Sequence, residues 1–423
     1  MTLSVYHRTF LVAHPGARMN YAVPRILSSA GLLDRVYTDF CATSNWSRFL
    51  RRVPDRFRPK FLQLFLARNL KNIPDDKITA FNLHGLHCQY RVRMAKTPAE
   101  RTRTYLWSGS KFCQKILSKG FGNAAAVYTF NSSGLELLQA AQRKGLLAVM
   151  EQTIAPKRVE CELVASEAER FPGWEAAEGH DELAVKMIDR EGAEWQATDV
   201  IICGSEFVRE GIVRCGGPAE KCVVVPYGVD MLSPQRGEGS RSPDEVASIN
   251  LQPSTLNRPL RVLTVGAVGL RKGSPYVLQA ARRLKGQAQF RMVGTLDVTL
   301  QTQAQLREHL ELIGRVPRNE VRQHFEWADV FLLPSVCEGS ATVSYEALAY
   351  GLPVICTPNT GSVVRDGVDG FIIPMRDVDA IQDRLERLAS DIDLRVYMSA
   401  KARERAEEFT LAAYGRRLVS ALS

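Results

Sequence analysis

The 423-residue sequence has no long apolar run and no closely paired cysteines, and each absence excludes a class of protein. No segment approaches the roughly 18 consecutive apolar residues that a membrane-spanning helix needs. The nine cysteines include no Cys-x2-Cys pair, so neither a zinc site nor a disulfide framework is expected. Cys203, Cys222, Cys337 and Cys356 lie in or beside apolar runs, which is typical of reduced, buried thiols in a cytoplasmic protein.

Sequence signals for export and for common cofactors are also missing. Residues 1–13 lack the basic start and the cleavage site of a signal peptide, and we interpret them as a first strand. The segment after that strand is not Gly-x-Gly-x-x-Gly, which disfavours a nicotinamide or flavin site. A P-loop is absent too. The pairs Asp377/Asp379 and Asp391/Asp393 precede helix-like runs, where aspartate caps are common. We therefore expect no cofactor and no metal.

The net charge of +9 is distributed unevenly along the chain. Residues 1–120 carry 21 Lys/Arg and 6 Asp/Glu, a net charge of +15, so the rest of the chain has a net charge of −6. Much of the excess lies in residues 46–71, where apolar residues recur every four positions with arginines between them. Such a segment is typical either of contact with an anionic membrane surface or of a helix pair with a basic outer face. No nucleic-acid-binding motif accompanies the charge, so nucleic acid is not an expected partner.

Strand-like runs alternate with amphipathic runs along the whole chain, which predicts an α/β fold with parallel sheets and crossover helices. The length suits two domains of about 200 residues each. Residues 236–258 are rich in Ser, Pro, Gly and charge, and we interpret them as a linker between a domain over 1–235 and a domain over 259–404. The predicted strands lie near residues 9–13, 124–130, 146–150, 200–203, 222–226, 261–266, 290–294, 311–314, 330–333, 354–356 and 370–374.

Two glutamates, Glu338 and Glu346, lie between a strand-like run and a helix-like run. A helix that begins near Ser340 would put Glu338 on the preceding loop and Glu346 about two turns in. Loops at the carboxyl ends of strands bind ligands in such sheets. Carboxylates accept several hydrogen bonds, which suits hydroxyl groups, and the free N–H groups of a helix start favour phosphate. Hydroxyls together with phosphate describe a sugar nucleotide.

The same region resembles the family 4 retaining glycosyltransferases of the GT-B fold, also called glycosyl transferases group 1. The two glutamates are followed by Gly351-Leu-Pro-Val-Ile355, as in the signature of that family. The resemblance is dense from about 199 to 410. It implies two Rossmann-like domains that face each other across a cleft, with a C-terminal helix over 405–423 packing back onto the first. Further segments occur in the expected order at residues 225–230, 265–273, 314–317, 357–361 and 366–371.

The resemblance also implies roles for charged residues of the second domain. The lysine that stabilises the donor diphosphate falls on Lys272, with Arg271 beside it. Glu346 matches the glutamate that holds the ribose hydroxyls, and Glu338 matches the one near the transferred sugar. The arginine expected next to the lysine site falls on Ala267, so Arg271, Arg315 or Arg18 are the candidates to replace it.

Backbone groups and a first-domain carboxylate complete the expected site. Gly16 lies on the loop after the first strand, where the resemblance implies contact with the diphosphate. Glu151 stands where many family members have a histidine near the sugar, so the expected catalytic set is Glu338, Lys272 and Glu151. The remaining expected donor contacts are Gly266, Gly314, Arg315, Val316, Gly339, Ser340 and Ala341.

These features favour a metal-independent, retaining glycosyltransferase that moves a sugar from a nucleotide-diphosphate donor to a glycan or lipid-linked acceptor. The expected process is cell-surface polysaccharide or glycolipid synthesis. The expected location is the cytoplasm, with peripheral contact to the inner membrane face. Two alternatives remain open at this point: a non-catalytic nucleotide-sugar-binding subunit of a partner transferase, and a GT-B phosphorylase or epimerase.

Overall fold

The computed structural model describes residues 8–42, 66, 68, 70, 72–95, 97–176, 182–230 and 258–423. The basic segment 46–71 and the linker 236–258 lie almost entirely outside these residues. Within them the chain forms two all-parallel sheets with helices between successive strands. The predicted α/β class is therefore confirmed.

The first sheet has seven strands in the order β3-β2-β1-β4-β5-β6-β7. Side chains of β1 and β4 are all buried, as expected where helices cover both faces of a parallel sheet. The strands are β1 (Phe10–His14), β2 (Leu33–Thr38), β3 (Ile78–Ala80), β4 (Ala126–Phe130), β5 (Leu147–Gln152), β6 (Val200–Cys203) and β7 (Cys222–Val224). The helices along this part of the chain are α1 (Ala22–Ser29), α2 (Asn82–Met94), α3 (Pro98–Leu117), α4 (Leu135–Arg143), α5 (Lys157–Arg170), α6 (Glu182–Gln196) and α7 (Glu206–Arg214).

The second sheet has six strands in the order β10-β9-β8-β11-β12-β13. Its strand order reverses between β8 and β11, just as that of the first sheet reverses between β1 and β4. Ligands bind in α/β sheets at the carboxyl ends of the strands beside such a reversal. The strands are β8 (Leu260–Val265), β9 (Ala288–Val293), β10 (Glu311–Gly314), β11 (Val330–Leu333), β12 (Val354–Cys356) and β13 (Gly370–Ile372). The helices are α8 (Ser274–Arg283), α9 (Leu300–Arg307), α10 (Arg318–Trp327), α11 (Thr342–Ala349), α12 (Val378–Ser390), α13 (Ile392–Glu408) and α14 (Leu411–Leu422).

The last helix returns to the first sheet. Tyr414 and Leu418 of α14 are fully buried and share a core with Phe10 and Val12 of β1. Helix α14 begins at a Thr410 cap whose hydroxyl accepts from the N–H of Ala413. The chain therefore ends against the domain in which it started.

A segment of the first half packs against the second sheet. Trp174 belongs to the core of that sheet, and its indole N–H donates to Ser274 Oγ at 3.0 Å. Glu167 of α5 is fully buried, where it accepts from Tyr276 and pairs with Arg376. Residues 157–176 thus join the two sheets.

The predicted aspartate caps are confirmed, whereas Cys222, predicted to be buried, is only half-buried. Asp377 and Asp391 cap α12 and α13 by accepting backbone N–H groups. Cys203, Cys337 and Cys356 are buried free thiols, and the other cysteines are free as well. No helix within the described ranges is long and apolar enough to cross a membrane.

Candidate functional site

The reversal point of the second sheet brings Lys272 and Glu338 together. Lys272 lies on the loop after β8, and Glu338 lies on the loop after β11. Lys272 Nζ is 2.6 Å from Glu338 Oε1, and Arg271 Nη1 is 2.8 Å from the same oxygen. Arg271 Nη1 also donates to the carbonyl of Cys337 at 3.0 Å. Burial lowers the pKa of Lys272, and the negative charge of Glu338 partly opposes this shift.

Glycines let the loops after β8, β9 and β10 approach each other closely. Gly266 has a φ of 143°, and a methyl group there would lie 3.0 Å from Lys272 Cε. The N–H of Gly294 donates to the carbonyl of Gly314 at 3.0 Å. A side chain at position 294 would overlap the backbone of Gly266. The loop Gly314–Val316 therefore lies next to the strand end that carries Lys272, with the side chain of Arg315 exposed.

Helix α11 begins at Thr342, two residues later than the sequence pattern predicts. Glu346 is consequently little more than one turn into the helix, and its side chain is about 30% exposed. Arg318 Nη2 approaches Glu346 Oε1 at 3.4 Å. Burial raises the pKa of Glu346, and Arg318 partly opposes this shift.

The expected phosphate contact of the Ala341 amide is corrected by the structure. That N–H donates to the carbonyl of Thr360 at 3.1 Å, so it is not available to a ligand in this conformation. The neighbouring Ser340 hydroxyl is paired with Tyr345 at 2.8 Å. The physical reason is that the 358–360 turn packs onto the start of α11 and satisfies it internally.

The two sheets meet at Gly339. Its backbone pairs with Ile154 in an antiparallel bridge, and a methyl group on Gly339 would lie 2.7 Å from Ile154 Cα. Ser205 Oγ donates to the carbonyl of Gly339 at 2.5 Å. The N–H of Ala155 donates to the carbonyl of Glu338 at 3.1 Å. The first sheet therefore directly contacts the loop after β11 that carries Glu338 and Gly339, called here the glutamate loop.

The loop after β1 forms the other side of this meeting point. Gly16 has a φ of 75° and donates its N–H to Asp39 Oδ1 at 2.7 Å. Arg18 Nη2 donates to the carbonyl of Thr153 at 3.2 Å, next to the Ile154 bridge. Arg18 is thus the cation that the first sheet places beside the glutamate loop.

Glu151 lies at the end of β5, fully buried beneath Arg18. Its carboxylate accepts from Tyr128 at 2.7 Å and from Tyr227 at 2.8 Å. Arg18 Nε is 3.6 Å from Glu151 Oε1, and the guanidinium carbon is 5.0 Å from the ring centre of Tyr227. Burial raises the pKa of both phenols well above the usual value, so both stay protonated and donate.

Sequence reasoning placed Glu151, Gly16 and Arg18 near one another only through the resemblance. It did not assign roles to Tyr128, Tyr227, Thr153 or Ser205, which together with Arg18 and Glu151 build the part of the site that the first sheet contributes, called here the first side. Tyr227 lies within a motif segment, and that signal could have marked it. Among the described residues, no three His, Cys, Asp or Glu side chains are grouped as metal ligands.

A family model supports the interpretation of the second sheet. Residues 250–405 match the model described as glycosyl transferases group 1. This range contains the second sheet together with Lys272, Glu338 and Glu346. The resemblance that the motifs predict is therefore confirmed for this half of the chain.

A curated relative points in the same direction. WcaL of Salmonella typhimurium, named as a glycosyltransferase of colanic acid biosynthesis, is 31% identical to this chain over 242 residues. The match covers 53% of this chain and 56% of WcaL. The chain thus spans about half the length of the curated relatives it matches.

Two solved structures share the fold over nearly the whole chain. Sucrose-phosphate synthase from Thermosynechococcus elongatus has a TM-score of 0.67 at 17% identity and covers 98% of each chain. Anabaena HepE in complex with UDP-glucose has a TM-score of 0.60 at 14% identity, covering 98% of this chain and 99% of that one. At such identities the likeness shows the fold alone. The expected GT-B architecture is confirmed.

Proposed function

We propose that this chain, whose second half matches the glycosyl transferases group 1 model, is a retaining glycosyltransferase. It would move a sugar from a nucleotide-diphosphate donor to a glycan or lipid-linked acceptor in polysaccharide synthesis, the process named for WcaL. The observation that carries the proposal is the convergence of Lys272, Arg271 and Glu338 where the strand order reverses. Glu346 lies one turn along the helix that follows.

Donor recognition is assigned mainly to the second sheet. The two oxygens of Glu346 suit the 2′ and 3′ hydroxyls of a ribose, because a carboxylate accepts from both at once. Lys272 and Arg271 supply positive charge for the diphosphate. The loop Gly314–Val316 flanks the base, and Glu338 lies near the transferred sugar. The binding of UDP-glucose by HepE makes a uridine donor the first candidate to test.

The chemical step needs charge stabilisation more than a protein nucleophile. The bond between the anomeric carbon and the diphosphate oxygen breaks, and its electron pair goes to that oxygen. The acceptor hydroxyl attacks the same face and gives its proton to the leaving phosphate, so the configuration is retained. Because Lys272 and Arg271 already provide cations, we expect transfer to be metal-independent. Loss of activity on treatment with EDTA would contradict this expectation.

Nucleotide binding by the purified chain tests the donor assignment. Thermal shift and calorimetry with UDP, GDP, ADP and their sugars should reveal one preferred diphosphate. Glu346→Ala should weaken that binding about tenfold or more, since two charge-assisted hydrogen bonds are lost. The matched control is Glu404→Ala, because Glu404 is an exposed glutamate on α13 that pairs with Lys401. It should bind as the wild type does.

The outcomes separate clearly. A wild type that binds none of these nucleotides would refute the proposal. Equal losses in Glu346→Ala and Glu404→Ala would refute the role of Glu346. The alternatives of a binding subunit and of a phosphorylase or epimerase predict nucleotide binding too, but no new glycosidic bond in the presence of acceptors.

We also propose a cytoplasmic location with peripheral contact to an anionic membrane surface, where a lipid-linked acceptor would be met. The described structure adds one supporting feature to the basic segment 46–71. Helix α2 exposes Leu83, Leu86, Tyr90 and Met94 on one face and carries no Asp or Glu. The protein should float with vesicles that contain anionic lipid and not with neutral vesicles. Failure to float with the anionic vesicles would contradict the contact.

A further inference from the structure

The two cations that converge on the second sheet are already paired with carboxylates. Lys272 and Arg271 share the carboxylate of Glu338, and Arg271 Nε also lies 3.9 Å from Glu160. A donor diphosphate therefore has to compete with carboxylates for both of them. A further cation from the opposite side of the cleft would relieve this competition, because charge on the leaving diphosphate grows in the transition state.

Arg18 lies on the first-sheet side of the contact at Gly339. Its Nη2 donates to the Thr153 carbonyl, and a methyl group on Gly339 would overlap that same carbonyl oxygen. The guanidinium and Gly339 of the glutamate loop therefore lie next to the same carbonyl group. About a third of the Arg18 side chain is exposed, while its Nε is buried without a hydrogen-bond partner. The exposed part of the side chain is open to a ligand acceptor, because a guanidinium carries five donors.

The backbone around Arg18 is strained. Met19, Asn20 and Tyr21 have φ values of 47°, 53° and 58°, a left-handed run that L-residues rarely adopt. Tyr21 holds the turn in place, since its ring is fully buried and its hydroxyl donates to the carbonyl of Phe40 at 3.0 Å. Such conformations persist where the surroundings enforce them, and they cluster at functional sites.

Glu151 orients the guanidinium from below. Because Tyr128 and Tyr227 both donate to it, the carboxylate is held in one place and its charge is spread over three partners. The ring of Tyr227 lies against the guanidinium of Arg18. Arg18 therefore has a fixed direction without a carboxylate in hydrogen-bond contact, unlike Lys272.

We propose that Arg18 binds the diphosphate of the donor and that Glu151 and Tyr227 are positioning residues for it. The inference rests on the proposed function and deepens it. When the bond between the anomeric carbon and the diphosphate oxygen breaks, the electron pair goes to that oxygen. Arg18 donates hydrogen bonds to the diphosphate and transfers no proton. Glu151 acts through Arg18 and does not touch the sugar.

Calorimetry with the preferred diphosphate and with its matching nucleoside tests the role of Arg18. Arg18→Ala should weaken diphosphate binding about 10- to 100-fold, because charge-assisted hydrogen bonds are lost, and should leave nucleoside binding within about twofold. Arg18→Lys should lie between the two, since lysine keeps the charge without the planar fork. The matched control is Arg209→Ala, because Arg209 is an exposed arginine paired with Glu206 on α7.

A double-mutant comparison tests the positioning role. Glu151→Gln should weaken diphosphate binding about 3- to 10-fold in the wild-type background and should add nothing in the Arg18→Ala background. A merely structural role would lower affinity in both backgrounds. That result would overturn the positioning role of Glu151.

The inference and the proposed function fail in distinguishable ways. Unchanged diphosphate binding in Arg18→Ala, with binding still lost in Glu346→Ala, would overturn the inference alone. Equal losses for diphosphate and nucleoside would also overturn it, because they would show a damaged cleft. A wild type without any diphosphate binding would overturn both.

Discussion

The two sides of the cleft are built by different means. On the second side, short-range motifs place Lys272 next to Glu338, and the charges pair directly at 2.6 Å. On the first side, a left-handed turn carries Arg18 above a buried carboxylate whose other partners are phenols. The second side holds its cations in tight ion pairs, whereas the first side holds Arg18 through the conformation of the turn and its contact with the Tyr227 ring. The comparison teaches that a protein can hold cations for one ligand in two ways, which differ in how they respond to acid and to substitutions.

The largest expected effect is a loss of folding stability in acid, and it originates in the first sheet. His14, at the end of β1, is buried against the rings of Tyr21 and Phe130, and burial lowers its pKa to about 4. Between pH 6.5 and 4 the unfolded chain binds a proton that the folded chain does not, so stability falls as pH falls through this window. The loss attributable to His14 by pH 4 is about 3 kcal/mol.

Urea unfolding at pH 7.5, 5.5 and 4.5 measures this dependence. His14→Gln should remove most of the slope that His14 contributes, at the cost of a lower starting stability. An unchanged slope in that variant would show that other groups carry the acid sensitivity.

Contact between the two sides should come next in size. Gly339→Ala would put a methyl group onto the Thr153 carbonyl and 2.7 Å from Ile154 Cα, so the sides must move apart. A displacement of about 1 Å at a reacting centre costs about 100-fold in kcat/KM. Gly192→Ala is the matched control, because a methyl group there meets no atom within 4 Å. Steady-state transfer or donor hydrolysis by both variants gives the comparison, and full activity in Gly339→Ala would break it.

The smallest expected effect is a change in diphosphate affinity that should have opposite directions on the two sides. Glu338→Gln should tighten diphosphate binding up to about tenfold while transfer falls, because Lys272 and Arg271 lose the carboxylate that competes for them. Glu151→Gln, on the other side, should loosen the same binding. Calorimetry with the same diphosphate measures both. A shift in the same direction for both variants would mean that the two sides do not differ as described.

Most of the second side could be predicted from the sequence, because its contacts follow motifs of fixed spacing. The roles expected for Glu338 and Lys272 came from the resemblance, whose motifs stand in a fixed order along the chain. The first side could not be predicted in the same way. Glu151 meets Tyr128 and Tyr227 across 23 and 76 residues of chain, and Arg18 meets Thr153 across 135. Arg271 and Glu338 are also 67 residues apart, but the motifs of the resemblance mark both of them, whereas no motif marks Tyr128 or Thr153.

The misses within the fold have similar causes. Strand β2 carries Asp34 and Arg35 among its apolar residues, and β3 has only three residues, so neither gave a clear apolar run. The left-handed turn at Met19–Tyr21 contains no glycine to mark it. The start of α11 was placed two residues early, because the 358–360 turn that satisfies Ala341 comes from later in the chain.

The packing of residues 157–176 against the second sheet has a consequence for engineering. A chimera that exchanges the first sheet with that of a related protein would be cut most simply at the predicted linker, residues 236–258. Such a cut would replace Glu167 and Trp174 by foreign residues and strip Tyr276, Arg376 and Ser274 of their partners. A chimera that keeps residues 157–176 of the recipient needs two additional junctions in the chain. The two halves of this chain are therefore interleaved and are not independent modules. Specificity is better exchanged by replacing single loops than by replacing a whole domain.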